Sequence, residues 1–111
     1  MKFHHYGIPV PDLRPGMAQV PGHQVWATDH QDHPFGLQFM HYGAACDLPA
    51  LVRERPHLAF EVEDLDRALA GQKVLIQPNS PSEGVRVAFI EQDGEPVELL
   101  EFVRPDDSRR A

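Results

Sequence analysis

One cysteine, one tryptophan and no long apolar run limit what this chain can be. The single cysteine, Cys46, excludes an internal disulfide and suits a reducing compartment. No neighbouring constellation would turn it into a nucleophile, so it reads as inert. No apolar stretch approaches the roughly 18 residues a membrane-spanning helix needs. The opening residues, MKFHHYG, lack the apolar core of a signal peptide, so a cytoplasmic location is expected. Basic residues are few: 10 Lys and Arg against 17 Asp and Glu leave a net charge of -7. That balance argues against nucleic acid or an anionic membrane as a partner.

Other residues are plentiful. Eleven prolines and eight glycines in 111 residues call for many turns and few long helices. Seven histidines justify a search for metal ligands without identifying any. The length fits a single domain able to bury a working core.

Strand-like stretches fall at 2–10 (KFHHYGIPV), 25–30 (VWATDH), 36–42 (GLQFMHY), 57–62 (HLAFEV), 73–78 (KVLIQP) and 96–102 (PVELLEF). Residues 25–30 are expected to pair with 36–42 across the loop QDHPF. Residues 84–102 form the clearest hairpin, with Asp93-Gly94 as its turn signal. A helix is expected over 63–71, capped by Asp64, striped by Leu65, Ala68 and Leu69, and ended at Gly71. Its counterpart, 11–22, holds three prolines and two glycines and reads as a loop. Residues 47–56 join the halves with at most a helical turn.

The chain repeats itself. At an offset of 52, His5 falls on His57, Gly7 on Ala59, Ile8 on Phe60, Val10 on Val62, Asp12 on Asp64 and Leu13 on Leu65. At an offset of 60, Leu37 falls on Val97, Gln38 on Glu98, Met40 on Leu100 and Tyr42 on Phe102. This predicts one domain of two modules, about 1–45 and 55–104, with 105–111 as a flexible tail. Each module reads β–(α)–β–β–β, related by a pseudo-twofold rather than stacked as a solenoid. Strand alternation puts Glu98 with Leu100 and Phe102, and Gln38 with Met40 and Tyr42. A twofold operation can then bring His5, Gln38, His57 and Glu98 together. Two nitrogens and two oxygens form a borderline donor set suited to Zn, Ni, Co, Mn or Fe(II).

Taken singly, each residue has a plainer explanation. His5 and His57 could be strand histidines bonded within the sheet, and Glu98 a solvated strand residue; the repeat-related pairing favours ligands. His4 has the opposite parity to His5 and is expected to be structural. His30 and His33 read as a solvated loop, and His23 and His41 as surface residues.

The segments HHYGIPVPDL, HLAFEVEDLDRAL and GVRVAFIEQDGEPVELLEF, with a fainter match at GLQFMHY, resemble the vicinal oxygen chelate superfamily. That group includes glyoxalase I, methylmalonyl-CoA epimerase, extradiol dioxygenases, and the bleomycin and fosfomycin resistance proteins. The resemblance implies an α+β fold of paired βαβββ modules forming a cupped mixed sheet, the first module lacking most of its helix. It also implies a divalent metal ion on His5, Gln38, His57 and Glu98. Gln38 departs from the Glu often found at that position. The implied function is a glyoxalase-like lyase or isomerase that takes a small oxygen-rich substrate through an enediolate or enolate. Glu98 is the candidate catalytic base and Glu61 a second one. Arg86 would anchor an anionic substrate, and Met40, Tyr42, Leu100 and Phe102 would form the apolar wall. The alternative is a non-catalytic, drug-sequestering protein of the bleomycin-resistance type, for which nine aromatics are few. A dioxygenase on His5, His57 and Glu98 ranks third. A truncated first module leaves sheet edges and apolar surface to cover, so a homodimer is expected.

Overall fold

The computed structural model describes residues 1–103, so the tail expected at 105–111 lies outside the described residues. Eight strands form one mixed sheet: β1 (Lys2–Pro9), β2 (Ala18–Gln19), β3 (Val25–Ala27), β4 (Leu37–Tyr42), β5 (His57–Glu61), β6 (Lys73–Asn79), β7 (Val85–Gln92) and β8 (Glu95–Phe102). Two short helices complete the fold, α1 (Ala50–Glu54) and α2 (Leu65–Leu69). Among the described residues no helix is long and apolar enough to cross a membrane.

The strand order is β2-β3-β4-β1-β5-β8-β7-β6. Read outward from the centre, it is the same arrangement twice. β1 and β4 run parallel with Gly7 opposite Gln38. β5 and β8 run parallel with Ala59 opposite Glu98. The two registers coincide at the offsets of 52 and 60. At the centre β1 meets β5 antiparallel, pairing His5 with Ala59, Tyr6 with Leu58 and Gly7 with His57. The Tyr6–Leu58 pair therefore lies on the pseudo-twofold.

Local chemistry explains where the halves differ. Asp64 accepts a hydrogen bond from the Arg67 amide at 3.1 Å, and Gly71 takes a φ of 76° just past α2. The helix is shorter than the 63–71 stretch. Residues 11–22 contain no helix, since three prolines remove the donors one would need. They supply only the two-residue β2, which the sequence pattern does not reveal. The β7–β8 hairpin turns at Asp93 and Gly94, both at positive φ (53° and 83°), as a two-residue turn matched to strand twist requires.

The sheet has two faces. On one, α2 places Leu65 against Ala88, Ile90 and Leu99, with Phe60, Val62 and Val97 around them. The other face curls around a cavity of about 410 Å³. Side chains from β1, β3, β4, β6, β7 and β8 all line this one space, which a flat sheet could not achieve.

Candidate metal centre

β1 and β5 present their histidines to the cavity face, and β8 presents Glu98 between them. His5 is 5% exposed and His57 1%. Both imidazoles bring Nε2 to 3.2 Å from the same oxygen, Glu98 Oε1. The ligand atoms of His5, His57 and Glu98 all lie within 4.8 Å of one another. His57 makes a directed hydrogen bond to the carboxylate. His5 Nε2 is equally close but poorly aligned for one, leaving a buried nitrogen without a hydrogen-bond partner.

Gly7 makes room for this arrangement. A Cβ there would lie 2.3 Å from His57 Cε1, so only glycine lets the ring sit against β1. Phe89 meets the His57 ring edge-on at 4.9 Å between centroids.

Burial alone would raise the Glu98 carboxyl. The adjacent His5 and His57 imidazoles outweigh burial and bring it down to about 2. Such a carboxylate is a firm ligand and a weak base at neutral pH.

Gln38 lines the same cavity. Its amide nitrogen donates to the Thr28 carbonyl at 3.0 Å, which leaves the amide oxygen as the atom it can offer. Met40, Tyr42, Leu100 and Phe102 all lie in the lining. Burial first, then Glu98 and Cys46, push the Tyr42 phenol up, so it stays a hydroxyl donor. Arg86 stands apart from the cavity. It pairs with Glu101 and Asp66, each at 3.1 Å, while its neighbours Val85, Val87 and Phe89 take the cavity side of β7. Glu61 is also absent from the lining and approaches Lys2 at 3.9 Å.

Three histidines expected elsewhere line the cavity: His4, His23 and His30. The β1–β5 register shifts between Phe3 and His5, which breaks strict alternation and lets His4 share the cavity side with His5. His30 sits in a single 3₁₀ turn, His30–Asp32, capped by Asp29, and stacks on His4 with centroids 4.2 Å apart. Burial first, then neighbouring histidine charge, holds both His4 and His30 below the usual histidine range.

Two buried imidazoles and one ionised carboxylate converging on a point fit a divalent ion of the Zn, Ni, Co, Mn or Fe(II) group. The buried, poorly aligned His5 Nε2 is the kind of nitrogen such an ion would satisfy.

No protein-family model matches the chain, and no curated protein matches it. Solved structures do. A hypothetical protein from Bacillus halodurans C-125 superposes with a TM-score of 0.64 at 16% identity, over 93% of this chain and 95% of that one. Methylmalonyl-CoA epimerase from Mycobacterium tuberculosis superposes with a TM-score of 0.58 at 18% identity, over 97% of this chain and 91% of that one. At such identities the likeness is one of fold: the chain has the cupped, paired-module architecture of these proteins.

Proposed function

We propose that the protein is a divalent-metal-dependent isomerase or lyase that moves a proton next to a carbonyl in a small oxygen-rich substrate, through an enolate or enediolate. The observation that carries this proposal is the convergence of His5, His57 and Glu98 at a largely apolar cavity large enough for a small molecule. His5, His57 and Glu98 would hold the ion, with the Gln38 amide oxygen as a fourth donor. A bound divalent ion supplies Lewis-acid stabilisation of negative charge on the substrate's oxygens. Met40, Leu100 and Phe102 line the cavity and would orient the substrate's carbon skeleton. Tyr42, kept protonated, donates a hydrogen bond to a substrate oxygen. The proton is taken by a cavity base. His30, neutral because burial and the nearby His5 hold it down, suits that role at neutral pH better than Glu98.

The test is metal analysis of untagged protein, followed by deuterium exchange at the carbon next to the carbonyl in small hydroxy-ketones and 2-oxo acids. One ion per chain is expected, lost in Glu98→Gln and His57→Ala but kept in His30→Ala, which instead slows exchange. Failure to take up Zn, Ni, Co, Mn or Fe(II) would sink the proposal.

The apolar lining also suits a sequestering protein. Ligand retention unaffected by His5→Ala and His57→Ala would favour that alternative. A homodimer belongs to the proposal, since Leu13 and Leu58 are exposed on the molecule whose first module lacks a helix. A monomeric mass in solution would remove that part.

A further inference from the structure

The two ligand histidines are supported unequally. His57 Nδ1 is buried with no hydrogen-bond partner. His5 Nδ1 has one: His4 Nδ1, at 2.7 Å. The residue before His57 is Pro56, which has no side-chain nitrogen to offer. This contact therefore belongs to the first module alone. It exists because the register shift between Phe3 and His5 turns both His4 and His5 to the cavity side.

Two imidazole nitrogens 2.7 Å apart share a single proton. That leaves two arrangements. If His4 donates, His5 Nδ1 accepts and the proton of His5 lies on Nε2, facing Glu98. If His5 donates, Nε2 keeps its lone pair. The two differ in what His5 Nε2 can do. His5 Nε2 lies 3.2 Å from Glu98 Oε1 yet is misaligned for donation, and the directed hydrogen bond to that oxygen comes from His57. A lone pair on His5 Nε2 is the state a ligand of the proposed metal centre must have, so the second arrangement is the one that centre requires.

We infer that His4 is a positioning residue: it accepts the Nδ1 proton of His5 and so fixes His5 with its Nε2 lone pair turned to the metal centre. His4 is held for this by stacking on His30 at 4.2 Å and by Phe102 at 5.6 Å. The inference rests on the metal-centre proposal above. His4, His5 and His30 also lie close enough to hold an ion of their own. The 2.7 Å separation argues against that, since two nitrogens on one tetrahedral ion stand roughly 3.3 Å apart.

Three measurements on the full chain test it, with each variant checked for folding by circular dichroism. His4→Phe keeps a stacking ring but removes the acceptor, and Co(II) or Zn(II) affinity is expected to fall roughly 10- to 100-fold. His4→Asn retains an acceptor near the Nδ1 position and is expected to recover most of that loss. Nitrogen-15 NMR of the metal-free parent at about pH 8, above the histidine range, is expected to show His5 as the Nδ1–H tautomer, and His4→Phe to shift it towards Nε2–H. An Nε2–H tautomer of His5 in the parent overturns the inference whether or not metal binds. So does unchanged affinity in His4→Phe. Two ions per chain, falling to one in His30→Ala, would make the cluster a second metal site instead. A parent that takes up no metal refutes the metal-centre proposal, and the tautomer measurement still decides what His4 does.

Discussion

The two modules share a register but are built to different standards. The second packs α2 onto its sheet through Leu65, which is fully buried. At the equivalent place in the first stands Leu13, 60% exposed on a proline-broken loop. In that loop Arg14 lies over the Phe39 ring, 4.5 Å from its centroid. The site shows the opposite bias. The first module gives its histidine a hydrogen-bonding neighbour, His4, and the second leaves His57 Nδ1 without one. The frame is the same in both modules, and what each builds on it differs. The second builds core, and the first sets a second histidine beside His5.

The largest expected effect follows from this contrast. Leu65→Ala should destabilise the protein by about 2–5 kcal/mol, as large-to-small changes at fully buried sites do. Leu13→Ala should stay within about 0.5 kcal/mol. Urea unfolding of the two variants measures both, and equal effects would erase the distinction between the modules.

Acid comes next. Glu98 is held at about 2 in the folded protein, against its usual 4.5. A lowered carboxyl stabilises the fold above its unfolded value, and that contribution drains away as pH falls from about 4.5 towards 2. The metal-free parent should therefore lose roughly 2 kcal/mol more than Glu98→Gln between about pH 6 and about pH 3. Urea melts across that window check it, and parallel curves would mean that the imidazoles do not hold Glu98 ionised.

A comparable effect is expected in the central pair of strands. The register sets Gly7 opposite His57 and Ala59 opposite His5, so the first module forgoes the Cβ that the second carries. Gly7→Ala should cost about 1–3 kcal/mol through forced displacement of the His57 ring, and should weaken metal binding with it. Thermal unfolding with and without Zn(II) reads both. An unaltered affinity would show that the His57 ring can move without harm to the site.

Much of the fold and the site is legible in the chain. The offsets of 52 and 60 reappear as pairing registers, because parallel strands of a duplicated unit keep their side-chain phase. The Asp64 cap and the Asp93-Gly94 turn follow from local chemistry alone. Arg86 shows where alternation stops helping. The strand VRVAFI is apolar on both faces, so its pattern groups Arg86 with Ala88 and Ile90 but cannot say which face is inner. The stripe on α2 needed a partner surface, and that surface is the one Ala88 and Ile90 provide. His4 and His30 were hidden for a different reason: a register shift breaks the period of two, and a capped 3₁₀ turn folds a polar loop back onto the strand.

Residue order carries the repeat and the phase of His5, Gln38, His57 and Glu98 along their strands, which depend on neighbours within a few positions. Long-range packing settled which sheet face became the cavity, how His4 and His30 joined it, and why position 7 must be glycine. Those outcomes depend on contacts between strands far apart in the chain, such as β1 with β5, and local periodicity carries no record of them.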